Sequence, residues 1–279
     1  MDMKKAVSVV LSALIIVLSF SVVSYADEEK LNYVVLGDSI ALGFGIYNND
    51  EACYGRIVAN TNGYNYSNYA VNGWRTMDLK EQIKQEEVRN DIEKADIISL
   101  SIGGNDYLQQ NLPVLFVDVV TKEFHYIDDI EEIFRENFSE IISTIREYNS
   151  DAMILVQTLY NPRFDLLRGF YGIAVERINR SIYAYIDENP GEFEIVDVYS
   201  VFTADHPEYI AFDTVHPSAE GNYRLAKLVL EKLAELGIAC ENDIVIETRG
   251  IDQIPYLSTV IKFFRDIIAG IFALVSAGV

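Results

Sequence analysis

The chain has 279 residues, half of them hydrophobic, and its 43 acidic and 22 basic residues give a formal net charge of −21. This length and apolar content allow one large domain with its own core, or at most two small ones. The negative charge repels phosphates and anionic lipid headgroups, so it disfavours both a purely electrostatic membrane role and binding to DNA or RNA, and no nucleic acid partner is expected.

Residues 1–26 have the composition of a secretory signal peptide. Two lysines precede an apolar run over residues 6–23, and a small-x-small sequence ends at Ala26. The sequence therefore predicts cleavage after Ala26 and a secreted, extracellular domain, either free or associated with the cell surface. The alternative is a retained N-terminal anchor, because the apolar run approaches the length of a membrane span. Cleavage is favoured since the small residues stand where signal peptidase requires them.

The first half of the domain begins with a strand that runs into a turn. The continuous apolar run from Asn32 to Leu36 predicts a strand buried on both faces. It leads into Gly37-Asp38-Ser39, a common turn composition that would place a serine at the end of a buried strand. A helix near Tyr54 to Ala59 and a tyrosine-rich strand from Tyr64 to Val71 follow, and Asn72-Gly73-Trp74 is a second turn.

The later elements alternate in the same way. They are a helix over Met77 to Glu93, a strand over Ala95 to Ile102, a helix over Ile130 to Tyr148, a strand over Met153 to Leu159, a helix from about Leu166 to Asp187, a strand over Phe193 to Val198 and a helix from Pro217 to about Leu236. Alternating strands and helices form βαβ units, in which both faces of a parallel sheet are covered. The sequence therefore predicts an α/β fold, a three-layer α/β/α sandwich with about five parallel strands.

Polar residues collect at the edge of this sheet where ligands bind, beyond the carboxyl ends of the strands. Ser39, Gly73 and Asn105 each follow a predicted strand, and Asp213 and His216 lie in the loop after the fifth. A serine hydroxyl is a poor nucleophile until a base takes its proton. Asp213 can accept from Nδ1 of His216 and leave Nε2 for Ser39. The backbone N–H groups of Ser39 and Gly73 and the Asn105 amide are candidate donors to an oxyanion.

Two other histidines compete with His216 as the base. His125 lies in an insertion before a helix, far from any predicted strand end. His206 follows Asp205, but adjacent residues point their side chains apart, so the geometry favours His216.

Four short blocks carry these residues: Gly37-Asp38-Ser39, Asn72-Gly73-Trp74, Gly103-Gly104-Asn105-Asp106 and Asp213-Thr214-Val215-His216-Pro217. Together they resemble the four sequence blocks of the GDSL/SGNH hydrolase superfamily, in that family's order, and the resemblance spans about residues 31–236. It implies a flavodoxin-like sandwich, Ser39 as nucleophile, His216 as base and Asp213 as its orienting carboxylate. It also implies an oxyanion hole of Ser39, Gly73 and Asn105, ester substrates, and neither cofactor nor metal. Asp38 is then a hydrogen-bonding residue of the turn.

Two features beside the site have alternative interpretations. An apolar insertion after Asn105 contains Leu112, Leu115 and Phe116. It is either additional core or an acyl-binding wall or lid next to the site. Trp74, the single tryptophan, either packs in the core, which is favoured, or contributes to the same substrate pocket.

Residues 241–279 extend beyond the hydrolase domain predicted over residues 27–240. Residues 257–279 predict an apolar helix whose uninterrupted part is too short to span a bilayer comfortably. This helix can contact a membrane surface, dock on its own domain or pair with a second copy. Docking or self-association is favoured, because the negative surface opposes anionic lipid. Cys53 and Cys240 are predicted at opposite ends of the sheet, so a disulfide between them is not expected.

The sequence thus predicts a secreted serine esterase or acylhydrolase that forms an acyl-enzyme on Ser39. The apolar insertion favours lipid or other acyl esters as substrates. A carbohydrate acetylesterase of the same superfamily is the alternative. A surface-binding module that keeps the fold without catalysis is a more distant third, because the nucleophile, base and oxyanion donors are all present.

Overall fold

Five parallel strands form one sheet at the centre of the described residues. The computed structural model describes residues 30–46, 48–110, 112–162, 168–238 and Ile244. The strands are β1 (Asn32–Gly37), β2 (Asn65–Asn68), β3 (Ile97–Ser101), β4 (Met153–Gln157) and β5 (Glu194–Val196). Every neighbouring pair is parallel, in the order β2-β1-β3-β4-β5. The predicted α/β fold class is confirmed.

Ten α-helices are described around the sheet. They are α1 (Ser39–Leu42), α2 (Asn49–Ala52), α3 (Tyr54–Asn62), α4 (Thr76–Gln82), α5 (Glu86–Lys94), α6 (Gly104–Leu108), α7 (Leu112–Thr121), α8 (His125–Tyr148), α9 (Arg168–Glu188) and α10 (Ala219–Glu235). A 3₁₀ turn at Pro207–Tyr209 precedes α10. None of the described helices is long and apolar enough to cross a bilayer.

The sheet separates two apolar cores because alternate residues of a strand point to opposite faces. Val34 and Leu36 pack with α4 to α9, whereas Tyr33 and Val35 pack with α1, α3 and α10. All four side chains are at most 2% exposed. Burial on both faces explains why β1 reads as a continuous apolar run rather than an alternating one.

The single helix predicted over Met77 to Glu93 is two helices, α4 and α5. Leu79 and Ile83 are four residues apart and share one helix face, as do Val88 and Ile92. Ile83 and Val88 are five residues apart, which would turn them about 140° from each other on one straight helix. The break after Gln82 lets all four side chains face the same core, where each is at most 3% exposed.

Other element boundaries also differ from the sequence prediction. The second strand is shorter than predicted, and α8 begins at His125 rather than Ile130. Pro217 does not open α10, because Ser218 is its N-cap and accepts a hydrogen bond from the Gly221 N–H at 3.0 Å. The predicted signal peptide and nearly all of the predicted 241–279 extension lie outside the described residues. Cys240 does too, whereas Cys53 is a buried free thiol.

Candidate active site

The turn after β1 fixes the position of Ser39 through its neighbours. Gly37 has φ of 136°, and a Cβ at this position would lie 2.0 Å from the Ser101 carbonyl oxygen. The Asp38 N–H donates to that same oxygen at 3.0 Å, which ties the turn to β3. The Asp38 carboxylate then accepts from the Ile40 N–H at 3.0 Å and caps α1. Ser39 is therefore held as the first residue of a capped helical turn.

Ser39, His216 and Asp213 form a continuous row of hydrogen bonds. The Ser39 Oγ lies 3.0 Å from Nε2 of His216, and Nδ1 of His216 lies 2.6 Å from Oδ2 of Asp213. The other Asp213 oxygen accepts from the backbone N–H groups of Val215 and His216 at 2.9 and 3.0 Å. This carboxylate orients the imidazole so that Nε2 can take the proton of the serine hydroxyl.

The charge of Asp213 suits this arrangement. Burial acts to raise the pKa of Asp213, but hydrogen bonds from the His216 side chain and from two backbone N–H groups hold that pKa below its ordinary value. Asp213 is therefore anionic at neutral pH and can stabilise an imidazolium formed next to it.

The loop that carries His216 is fixed on several sides. Ala211 N–H donates to the His216 carbonyl at 2.8 Å, and the Tyr160 hydroxyl donates to the Val215 carbonyl at 2.7 Å. The Phe44 ring packs on the imidazole with 4.7 Å between centroids. One of these contacts lies within the loop, and the other two come from Tyr160 and Phe44 in separate segments, so the position of the imidazole is supported from outside its own loop.

The other two histidines lie elsewhere. His206 is half exposed, stacks on the Tyr209 ring at 4.9 Å and places Nδ1 3.0 Å from a Glu208 carboxylate oxygen. His125 is the exposed first residue of α8. Among the described hydrogen bonds, His216 is bonded to Ser39, whereas His206 and His125 are not.

Side chains of α6 and its C-cap contact the turn after β2, which contains Gly73. The Asn105 amide nitrogen donates one N–H to the Trp74 carbonyl at 3.0 Å, and Asn105 lines the same cavity as Ser39. An amide nitrogen carries two N–H groups, so a second donor remains for a bound oxygen. The Gln109 side chain donates to the Gly73 carbonyl. Among the hydrogen bonds of the described residues, none uses the backbone N–H of Ser39 or Gly73.

A cavity of about 190 Å³ opens beside Ser39 and His216. Its walls come from α6, from the segment after β4 and from α9, and they are largely apolar. The apolar lining residues are Ile40, Ile102, Tyr107, Leu108, Leu159, Tyr160, Pro162, Tyr171, Ala174, Val175, Ile178 and Val215. An apolar wall of this kind can accommodate a hydrocarbon chain next to Ser39, which also lines the cavity.

The predicted substrate-binding residues are distributed differently. Leu115 is 2% exposed and packs in the core, because Asp118 of α7 accepts from the Ile127 N–H at 3.0 Å and draws α7 against α8. Trp74 is half-buried in its turn, and neither residue lines the cavity. The side chains of Leu112 and Phe116 lie outside the described part of the chain.

Sequence reasoning missed several polar residues at the site. Buried Asp106 accepts hydrogen bonds from Thr76. Gln157 lines the cavity, and its buried side-chain nitrogen has no hydrogen-bond partner among the described residues. Gln157 ends β4, and polar residues at strand ends are the signal that could have found it. Across the described ranges, no group of three or more His, Cys, Asp or Glu side chains could hold a metal ion.

Asp38 and Asp106 are buried carboxyls with altered acidity. Burial raises the pKa of Asp38 to about 7, with a further contribution from the charge of Asp106. Burial likewise raises the pKa of Asp106 to about 6, although hydrogen bonds from Thr76 oppose this rise. Both groups therefore titrate in the range where a neutral-pH enzyme works.

We expect Asp38→Asn to stabilise the protein at pH 8. The folded state binds the Asp38 proton more tightly than the unfolded chain, so wild-type stability falls as pH rises from about 4 to about 7. Asn keeps the cap and carries no charge, so its unfolding free energy at pH 8 exceeds that of wild type by up to about 4 kcal/mol. Denaturant unfolding at pH 5 and pH 8 measures the difference in unfolding free energy between variant and wild type, which should be smaller at pH 5.

A difference that does not change with pH would contradict the expectation. So would an equal difference in the control Asp151→Asn, which replaces an exposed carboxylate.

The sequence matches a known protein family over most of its length. The model of the GDSL-like lipase/acylhydrolase family matches residues 35–224, more than half of the chain. The chain belongs to this family. The matched residues include the Ser39 turn, Asn105 and the Asp213 and His216 loop. The predicted family is confirmed, and so is the prediction that the protein is an ester-cleaving hydrolase.

Two curated relatives come from Bacillus. The "uncharacterized protein YpmR" of Bacillus subtilis is 28% identical over 233 residues, covering 77% of this chain and 86% of the relative. The spore germination lipase LipC of Bacillus licheniformis is 25% identical over 202 residues, covering 68% and 91%.

Solved structures share the fold of this GDSL-like hydrolase. The lipase Lip_vut3 from a goat rumen metagenome superposes with a TM-score of 0.60 at 23% identity, covering 72% of this chain and 96% of that one. An extracellular lipase from Streptomyces rimosus gives 0.55 at 18% identity, covering 72% and 99%. A carbohydrate esterase of family 3 from Talaromyces cellulolyticus gives 0.50 at 18% identity, covering 74% and 97%.

Proposed function

We propose that this GDSL-like hydrolase is a serine esterase that cleaves acyl esters through an acyl-enzyme on Ser39. The observation that carries the proposal is the hydrogen-bonded row from Asp213 through His216 to Ser39, which lines a largely apolar cavity. A base within 3.0 Å of a buried serine hydroxyl, itself oriented by a carboxylate, is the arrangement that activates a serine.

In the first half-reaction, the Ser39 oxygen attacks the ester carbonyl carbon while Nε2 of His216 takes the serine proton. The carbonyl oxygen becomes an oxyanion, which accepts from the N–H groups of Ser39, Gly73 and Asn105. Collapse of this intermediate breaks the bond to the alcohol oxygen, and His216 returns its proton to the leaving alcohol. Water activated by the same histidine then releases the carboxylic acid and restores Ser39.

The cavity wall supports an acyl chain, rather than an acetyl group alone, as the acid part of the ester. Twelve apolar residues line a space of about 190 Å³ that an acetyl group would leave mostly empty. The name of LipC, a spore germination lipase, agrees with this choice. The carbohydrate esterase shares only the fold, so an acetylated carbohydrate is the second candidate substrate.

Location outside the cytoplasmic membrane is part of the proposal. Its support is the signal-like composition of residues 1–26. Either membrane-surface contact or self-association through residues 257–279 also stays a proposal.

Covalent labelling tests the mechanism. A fluorophosphonate forms a stable adduct with an activated serine, and mass spectrometry of the digested protein should place one label on Ser39. Asp213→Asn and His216→Ala should label far more slowly, because the base is misplaced or absent. A label on another serine, or no label on folded protein, would falsify the proposal.

A series of p-nitrophenyl esters from acetate to palmitate tests the acyl site. We expect kcat/KM to rise over the first carbons beyond acetate and then level off once the cavity is filled. Each buried methylene contributes up to about 0.8 kcal/mol, or roughly fourfold in kcat/KM. A steep preference for acetate would instead support the carbohydrate acetylesterase.

A matched pair of variants tests where the acyl chain of the ester binds. Val175 lines the cavity from α9, whereas Val114 is exposed on α7. We expect Val175→Phe to move the optimum to shorter esters and Val114→Phe to leave the profile unchanged. An unchanged profile in Val175→Phe would show that the acyl chain binds elsewhere.

A further inference from the structure

Three side chains of α6 and its C-cap bind the segment that contains Gly73. Gln109 donates to the carbonyl of Gly73, Asn105 donates to the carbonyl of Trp74 at 3.0 Å, and Asp106 accepts from Thr76. The two donor groups proposed for the oxyanion, on Asn105 and Gly73, therefore belong to two segments that are joined by these contacts.

The Asp106 contact is the most buried of the three. One carboxylate oxygen accepts from the Thr76 N–H at 3.0 Å, and the other accepts from the Thr76 hydroxyl at 2.5 Å. The same hydroxyl accepts from the Asn137 amide of α8 at 3.2 Å. Thr76 is 0% exposed and Asp106 only 4%. A two-point contact in a dry environment fixes orientation as well as distance.

The position of this contact bears on the chemistry. Asp106 follows Asn105 on the same helical turn, and Thr76 lies three residues after Gly73. Fixing Asp106 to Thr76 therefore fixes the spacing between the Asn105 amide and the Gly73 N–H. Donors of an oxyanion hole work when they lie 2.7–3.1 Å from one developing oxygen, and an error of about 1 Å can cost about 100-fold in rate.

We propose that Asp106, acting with Thr76, is a positioning residue that holds Asn105 and Gly73 at the spacing needed to bind one oxyanion. This inference rests on the proposed function, because it assigns the two donors to the same reaction. Asp106 itself touches neither Ser39 nor His216 in a hydrogen bond.

Threonine variants test the contact with little change in volume. Thr76→Val removes the hydroxyl, and we expect kcat to fall about 10- to 100-fold while KM changes less than about threefold, since the loss is confined to the transition state. Thr76→Ser restores the hydroxyl and should recover kcat to within about threefold of wild type. Thr61→Val is the matched control, because the Thr61 hydroxyl bonds to Ile57 of its own helix.

A double-mutant cycle then separates positioning from a merely structural role. If Asp106 acts through Asn105, Asp106→Asn should lower kcat at least tenfold in the wild-type background and less than about threefold in an Asn105→Ala background. If the losses in kcat caused by Asp106→Asn and Asn105→Ala simply multiply in the double variant, the inference is overturned. Full kcat in Thr76→Val overturns it as well. Thermal melting identifies any variant that fails to fold, and Thr76→Val against Thr76→Ser then decides the matter without Asp106→Asn.

Ser39→Ala distinguishes failure of the proposed function from failure of the positioning role. Activity retained in Ser39→Ala overturns the proposed function, and the inference with it. Activity lost in Ser39→Ala together with full kcat in Thr76→Val overturns the positioning role alone.

Discussion

Replacing Ser39 with Ala is expected to lower kcat toward p-nitrophenyl butyrate by at least about 10⁴-fold. The hydroxyl removed is the one that lies 3.0 Å from Nε2 of His216. No acyl-enzyme can form without it, and only the weak effect of the remaining oxyanion donors on direct attack by water persists. Because Ser39 is 6% exposed and Ala fits its place on α1, the fold should be unaffected.

The measurement is steady-state hydrolysis by purified wild type and variant, with melting temperatures to verify folding. Ser101→Ala is the informative control, because Ser101 lines the same cavity but has no hydrogen bond to a histidine among the described contacts. It should keep activity within about tenfold of wild type. Activity above about one per cent in Ser39→Ala would remove Ser39 from the reaction.

The second large effect is expected from the base. His216→Ala should reduce kcat about as strongly as loss of the serine, because members of such a row act as one unit. Asp213→Asn keeps the shape of the side chain but can favour the wrong imidazole tautomer, and a loss of about 10⁴-fold in kcat is expected. Both variants leave the twelve apolar residues of the cavity wall in place, so KM should change much less than kcat.

His206→Ala is the control for the base. His206 contacts Glu208 and Tyr209 on the surface, and its removal should leave most of the activity. The two histidine variants are compared at pH 7.5 with the same ester. If His206→Ala abolished hydrolysis while His216→Ala did not, the assignment of the base would be reversed.

The sheet and the Ser39–His216–Asp213 row were predictable because their signals are local or topological. A buried parallel strand reads as a continuous apolar run, and the topology of a parallel sheet brings the ends of strands to one edge. Asp213 and His216 are three residues apart, so their hydrogen bond depends on one short loop. Nothing in these inferences needed a contact between distant helices.

The contacts that shape the substrate site were not predictable in that way. Leu115 has the apolar character of a cavity residue, yet it is buried in the core. It lies on α7, which Asp118 joins to α8 by accepting a hydrogen bond from the Ile127 N–H. The wall is built instead by Val175 and Ile178 of α9, which lies far along the chain from Asn105. The pairing of Thr76 with Asp106 could not be predicted from the sequence, because it joins two residues that lie 30 positions apart in the chain.

Ser39 and His216 are 177 positions apart in the chain. Ser39 is synthesised early, directly after the first strand, whereas His216 lies just before the last described helix. During synthesis, a nascent chain therefore carries the serine for most of its length without the group that activates it. Esterase activity should appear only when the final third of the domain has folded, which makes the onset of ester cleavage a direct reporter of complete folding.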